Sequence, residues 1–121
     1  GVTSIPANAF KDCINLKKVV IGKNVTKIGA RAFYNCKKLA RITIPAKIKR
    51  IGAKAFYGCK RLKKITIKTS KLTNKKVGKL AFKGIHPKAV ITLPAKKVVS
   101  YKKILKRKGV SDSVTFKSKK Y

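Results

Sequence analysis

The sequence predicts an α/β repeat fold: a solenoid of about four 23-residue coils, with a parallel β-sheet on the concave face and a helix-plus-strand cap at the C-terminal end. Three observations carry this expectation. The phrase RAFYNCKKLARITIP (31–45) returns 23 residues later as KAFYGCKRLKKITIK (54–68). Apolar residues recur in that same register throughout the first three units. After residue 93 the register gives way to a pattern with helical spacing.

The columns are Val2, Val25 and Ile48; Ile5, Ile28 and Ile51; Ala9, Ala32 and Ala55; Phe10, Phe33 and Phe56; Cys13, Cys36 and Cys59; Leu16, Leu39 and Leu62; Val19, Ile42 and Ile65; Ile21, Ile44 and Ile67. A fourth, degraded unit follows a three-residue insertion. Val77, Gly78, Ala81 and Phe82 continue the columns, Ile85 replaces the Cys, Lys88 replaces a Leu, and Ile91 and Leu93 close the unit. The insertion falls in KTSKLTNKK (68–76), which reads as a polar loop. The expected boundaries are coils 1–23, 24–46, 47–69 and 70–93, then a cap over 94–121, all in one domain.

Within a unit, LKKITI (62–67) sends Ile65 and Ile67 one way and Thr66 the other, the period-2 mark of a short strand. AKAFYGC (53–59) places small residues around a Phe and includes Gly58, so it reads as a tight turn or short helical piece. One such coil cannot bury its own apolar side, whereas stacked coils bury a continuous core. In the cap, AKKVVSYKKILKRK (95–108) suits a helix. Val98, Tyr101 and Leu105, with Ile104 beside them, form its apolar stripe, Pro94 precedes it and Gly109 stops it. SVTF (113–116) reads as a final strand with Val114 and Phe116 inward. No matching lid is expected at Gly1. A chain without Met that opens at Gly1 is expected to be part of a longer protein with further coils upstream, so a missing signal peptide says nothing about export.

The unit I-G-A-x-A-F-Y-x-C-x-x-L-x-x-I-T-I-P, traced here from Ile51 and Ile28, resembles the repeat of BspA-type leucine-rich repeat proteins of bacterial surfaces. The resemblance covers residues 1–93, and the tail LPAKKVVSYKKILKRKGVSDSVTFK resembles the ending of such chains. It implies a leucine-rich-repeat solenoid, an exported or cell-surface protein, and adhesion to host or neighbouring-cell macromolecules. The sequence departs from the family in its charge.

That charge is +32, from 34 Lys and Arg against two acids, Asp12 and Asp112, in 121 residues. Lys outnumbers Arg by 29 to 5. Catalysis by paired carboxylates needs two acids on one substrate, and these two lie in a turn and a tail loop far apart in the chain. His86, beside Pro87, reads as an exposed turn residue. KVGKLAFKG (76–84) lacks the G-x-x-x-x-G-K-[ST] spacing of a phosphate loop. The chain is therefore expected to be no enzyme and to carry no cofactor. NVT (24–26) matches a glycosylation sequon and reads as a turn. No apolar run approaches the ~18 residues of a membrane-spanning helix.

The three Cys admit a buried column of free thiols, a disulfide between neighbours, or a metal site with His86 as an extra ligand. Disulfide geometry leaves one Cys unpaired, and the metal reading lacks close ligand spacing. Ile85 at the fourth position fits the buried column.

Stacking sorts the cations into rows. On the expected concave face these are Lys18, Arg41, Lys64 and Val90, then Val20, Thr43, Thr66 and Thr92, then Gly22, Pro45, Lys68 and Pro94. Asn15, Lys38 and Arg61 precede the strands, and Lys27, Arg50 and Lys76 run along another edge. Neighbours about 5 Å apart in water repel by ~0.8 kcal/mol before screening. Salt at ~0.15 M screens over about 8 Å, so adjacent coils still interact.

The candidate binding residues are Lys18, Arg41, Lys64, Lys38, Arg61, Lys68, Thr43 and Thr66. The expected partners are anionic polymers, such as wall polymers or glycosaminoglycans, or host and extracellular proteins. Nucleic acid is expected to bind only non-specifically: the Phe column is core, leaving Tyr34, Tyr57 and Tyr121 as the exposed aromatics a single-strand reader would need. The alternative is a purely structural end of a longer solenoid whose ligand site lies upstream.

Overall fold

The structure, a computed structural model, describes residues 2–121, so Gly1 and the expected absence of a lid there lie outside the described residues. The elements in chain order are β1 (Ser4–Ile5), β2 (Lys27–Ile28), β3 (Arg41–Ile44), β4 (Arg50–Ile51), β5 (Lys64–Ile67), β6 (Val90–Pro94), α1 (Val98–Arg107) and β7 (Thr115–Lys119). Two parallel sheets run through the stack, one ordered β1-β2-β4 and the other β3-β5-β6-β7.

The pairing follows the sequence register. Lys27 faces Arg50 in the smaller sheet and Arg41 faces Lys64 in the larger, each 23 residues on. Beyond the insertion the offset grows to 26, as Ile51 bridges Val77 and Lys64 faces Val90. The same side of β2 to β6 is buried, with Ile28, Ile42, Ile44, Ile51, Ile65, Ile67, Ile91 and Leu93 in the core, while Ile5 of β1 and Phe116 of β7 are half-buried against it. Phe10, Phe33, Phe56 and Phe82 stack through it with ring centroids 5.4, 5.2 and 5.2 Å apart. Such offset stacking adds about 0.5–1.5 kcal/mol per pair beyond area burial.

The segment before each Cys is a turn. Two residues per coil adopt the left-handed conformation, at Asn8, Arg31, Lys54 and Leu80, and again at Asp12, Asn35, Gly58 and Gly84. This breaks any helix and lets successive amides alternate in aim. The N–H of Ala32 bonds within the turn to the Gly29 carbonyl, and the next, from Phe33, crosses to Ala55 of the following coil. Backbone polar groups are thereby satisfied between coils without long strands. Gly29, Gly52 and Gly78 sit where a Cβ would come within 2.4, 2.3 and 2.2 Å of the preceding coil's backbone, so this column must be glycine wherever coils nest.

Four expectations need correction. Residues 18–21 form no strand, and Lys18, Val19 and Val20 are parted from Arg41, Ile42 and Thr43 by a shallow groove. Phe10, stacked on Phe33 alone, remains 36% exposed, and Val20, on the outward face with Thr43 and Thr66, is 81% exposed. The polar loop 68–76 is partly core: Thr69 and Leu72 are buried. The Tyr101 hydroxyl donates to the Thr69 carbonyl at 2.7 Å and accepts the Leu72 N–H at 3.2 Å, while Thr69 Oγ1 donates to the Ile48 carbonyl at 2.5 Å. The insertion is thus the seat of the cap.

The cap helix opens as a 3-10 turn, Ala95–Lys97, because Lys97 leaves helical geometry before α1 begins. Tyr101, Ile104 and Leu105 of α1 face the core as expected, with Val98 half-buried. The chain turns at Gly109, with φ +108° and Lys83 Cα only 2.7 Å from a hypothetical Cβ. The final strand extends to Lys119, beyond the expected end at Phe116, and pairs with β6 so that Phe116 joins the Ile65–Ile91 row and Lys119 faces Pro94.

Candidate functional site

The cysteine column illustrates what the turns do chemically. Cys36 and Cys59 are fully buried, and each thiol donates to a carbonyl of the preceding coil, Phe10 at 3.2 Å and Phe33 at 3.0 Å. Burial pushes Cys36 up to about 11 and Cys59 up to about 12, with the neighbouring Cys adding to the shift. All three Cys are free, and the described residues contain no cluster of three or more His, Cys, Asp or Glu able to hold a metal ion. His86 is half-buried, and its Nδ1 accepts the Lys88 N–H at 2.9 Å inside a turn. Asp12 accepts a hydrogen bond from Asn35 at 3.3 Å, and Asp112 pairs with Lys106 at 3.7 Å on an exposed loop.

The charge that the sequence leaves outside the core is almost wholly cationic, and the two sheets organise it. On the larger sheet Arg41 of β3 lies beside Lys64 of β5, and Thr43 beside Thr66. The groove next to them, about 290 Å³, brings together Lys18, Lys23, Arg41, Thr43 and Lys68. Four of the eight expected binding residues therefore share one depression. Lys64 and Thr66 lie along the same face one strand on. Lys38 and Arg61 stand apart from that groove; Lys38 Nζ donates to Asn15 at 3.4 Å, one coil away.

Two further basic grooves accompany it. One, about 460 Å³, follows the smaller sheet and is lined by Lys27, Arg50, Lys75 and Lys76 among residues of the glycine column. The other, about 610 Å³, lies at the C-terminal ends of β5, β6 and β7, where Lys68 meets Lys96, Lys97, Lys119 and Lys120. No acidic side chain lines any of the three grooves. Sequence reading missed the last four lysines because it placed them on the solvent face of a helix and in an unpaired tail. The available signal was arithmetic: the step from coil four to the cap puts Lys119 level with Lys68 and Pro94.

The aromatic rows are not open platforms. Tyr34 and Tyr57 stack at 5.1 Å, with Lys11 Nζ 5.7 Å from the first ring and Lys54 Nζ 5.6 Å from the second. Both are half-buried. Coil neighbours and cations occupy the ring faces that a nucleobase would need. A separate cleft of about 600 Å³ on the first coil is apolar, lined by Phe10, Val19, Val20 and Val25. No helix among the described residues is long and apolar enough to cross a membrane.

A profile of the BspA type leucine rich repeat region matches residues 1–117 in six copies. Among curated proteins no match is found. A crystal structure of a leucine-rich repeat protein from Bacteroides ovatus ATCC 8483 is similar over 99% of this chain, with 32% sequence identity and a TM-score of 0.77. The chain spans 29% of that protein's length. The likeness runs over nearly the whole of the fold described above, and the chain belongs to the BspA-type leucine-rich repeat family.

Proposed function

We propose that this chain is a non-catalytic binding module of a bacterial surface or secreted protein, adhering to anionic macromolecules through its basic repeat surface. The family is generally a protein-binding, surface-associated repeat scaffold, which supports both the module reading and an extracellular location. One observation carries the proposal: cations stand in register on both sheets, with Lys27 facing Arg50 and Arg41 facing Lys64, and no acid joins them in the grooves. Each such row raises the energy of the unliganded coil stack, and a polyanion laid along it removes that cost.

The residues proposed to make contact are Arg41, Lys64, Lys68 and Lys18, with Thr43 and Thr66 as hydroxyl donors between them and Lys38 and Arg61 at the rim. Lys dominates, and its hydrated point charge suits diffuse attraction to sulfate, phosphate or carboxylate groups more than forked recognition of one ligand. The partners are wall polymers, glycosaminoglycans or acidic patches of host and extracellular proteins. Nucleic acid binds non-specifically through the same charge. A second reading has this segment as the structural end of a longer solenoid with its ligand site elsewhere, favoured by the short span it covers of the Bacteroides protein.

The test is retention on heparin and on teichoic-acid resin across a salt gradient from about 0.05 to 1 M, where multivalent ionic contacts are progressively screened. Elution above about 0.4 M supports the module. Elution at the lowest salt from both resins removes it and leaves the structural reading.

A further inference from the structure

We propose that the cavity at the C-terminal ends of β5, β6 and β7 is a discrete site for one tetrahedral oxyanion group, a sulfate or phosphate ester carried on the bound polymer. The inference rests on the polyanion-binding reading and deepens it, because it turns part of a diffuse surface into a site.

Three separate stretches of chain converge there. Lys68 comes from the end of β5, Lys96 and Lys97 from the 3-10 turn after β6, and Lys119 and Lys120 from the end of β7. Ser70 adds a hydroxyl, and Pro94 and Ala95 supply an apolar wall. Elsewhere on the sheets each strand contributes one cation to a row, so positive charge is spread along the stack. Here five lysines line one cavity of about 610 Å³ with no Asp or Glu among them, and Tyr121, whose ring centroid lies 5.7 Å from Lys119 Nζ, lines it too. The nearest acid on the cap, Asp112, is paired with Lys106 on an exposed loop outside the cavity.

The arrangement is built by the fold. β7 pairs with β6 through Pro94 and Lys119, which fixes Lys119 beside the 3-10 turn. Tyr101, hydrogen-bonded to the Thr69 carbonyl and the Leu72 N–H, holds the start of the helix against the loop that follows Lys68. Converging like charges are costly in an empty site, and a multivalent anion reverses the sign of that interaction. Lysines drawn from three stretches of chain, each a point charge on a flexible stem, suit a tetrahedral oxyanion better than a planar carboxylate, which matches the parallel fork of Arg. Five Lys with no Arg accordingly favour sulfate or phosphate.

The full chain is compared with Lys97→Gln/Lys119→Gln and with a charge-matched control, Lys37→Gln/Lys60→Gln, whose exposed lysines line none of the basic grooves. The probe is a fully sulfated heparin-type tetrasaccharide titrated at about 0.15 M salt, with calorimetry for affinity and amide chemical shifts for location. The expected result is at least tenfold weaker binding in the cavity variant, under threefold in the control, and shifts centred on Ser70, Ala95 and Lys120. Inorganic pyrophosphate is the second arm. Displacement of the tetrasaccharide by millimolar pyrophosphate supports a site that takes phosphate as well as sulfate, and tetrasaccharide binding that resists pyrophosphate supports a sulfated source. Equal weakening in both variants, or shifts spread evenly over both sheets, overturns the site while leaving the polyanion reading standing. Loss of resin retention by the unmodified chain defeats the broader reading instead.

Discussion

Arg50 is the position where the charge argument is most exposed to refutation. It stands between two cations on the smaller sheet: Lys27 faces it directly, and the Ile51–Val77 bridge sets Lys76 beside it. Along the chain these partners are 23 and 26 residues away, so the unfolded state largely separates them. At a strand spacing of about 4.8 Å each pair repels by ~0.8 kcal/mol in water, and at 0.15 M salt by roughly half that. Two pairs give about 0.9 kcal/mol at 0.15 M salt as an upper limit, and splaying of long exposed side chains reduces it to about 0.5 kcal/mol. Arg50→Gln removes this repulsion and Arg50→Glu reverses it, so the expected stabilisations are about 0.5 and 1 kcal/mol. The gap between the variants should widen by about half at 0.02 M salt and fall to about a third at 1 M, following the screening length. Urea melts are the assay, since urea is uncharged and leaves ionic strength free to vary. A Glu variant no more stable than the Gln variant at 0.02 M salt, or a gap indifferent to salt, refutes the claim that registered cations strain the stack.

Three further outcomes follow from the core. Phe33→Ala, which empties a fully buried site between two stacked rings, should cost ~3–5 kcal/mol in the same melts, whereas Phe10→Ala, at a 36% exposed ring with one stacked neighbour, should cost about a third of that. Tyr101→Phe strands the Thr69 carbonyl and the Leu72 N–H; a loss of about 1–3 kcal/mol is expected, with faster hydrogen exchange at Leu72 and along α1. The raised thiols give a pH signature. Cys36 and Cys59 titrate near 11 and 12 in the folded chain against 9.0 when unfolded, so their contribution is complete below pH 9 and is lost as pH rises through the folded values. The stability advantage of the parent over Cys36→Ala/Cys59→Ala should therefore hold constant to about pH 9 and then shrink by up to ~1.4 kcal/mol per pH unit per thiol, the lysine titration being common to both proteins.

The repeat was legible because its physics is local and periodic. A 23-residue register of Ile, Phe and Cys leaves little freedom in which residues stack, and the rows Arg41–Lys64 and Lys27–Arg50 could be written down from spacing alone. Illegible features belong to the breaks in that periodicity. Nothing local distinguishes Val19–Ile21 from Ile42–Ile44, yet the first segment does not pair and the second does. Leu72 and Thr69 read as loop because their partner, Tyr101, lies about thirty residues on in a different kind of element. Lys119 and Lys120 read as tail because alternation stops at Phe116, although backbone pairing with β6 continues without it.

Those same breaks are where specificity can enter. A perfect stack repeats each surface feature at one spacing, so a ligand bound to one coil can slide to the next at little cost. A site needs an element that occurs once. The cap supplies it: the insertion admits Tyr101, Tyr101 fixes the helix, and β7 carries Lys119 across from Lys68. Diffuse attraction along the rows and a single anchoring pocket at their end are then two consequences of one construction. In titrations they separate by salt, because the logarithm of affinity for a row of n independent contacts falls with log salt at a slope proportional to n, whereas a pocket of converging cations retains a larger share of its binding once the outlying contacts are screened.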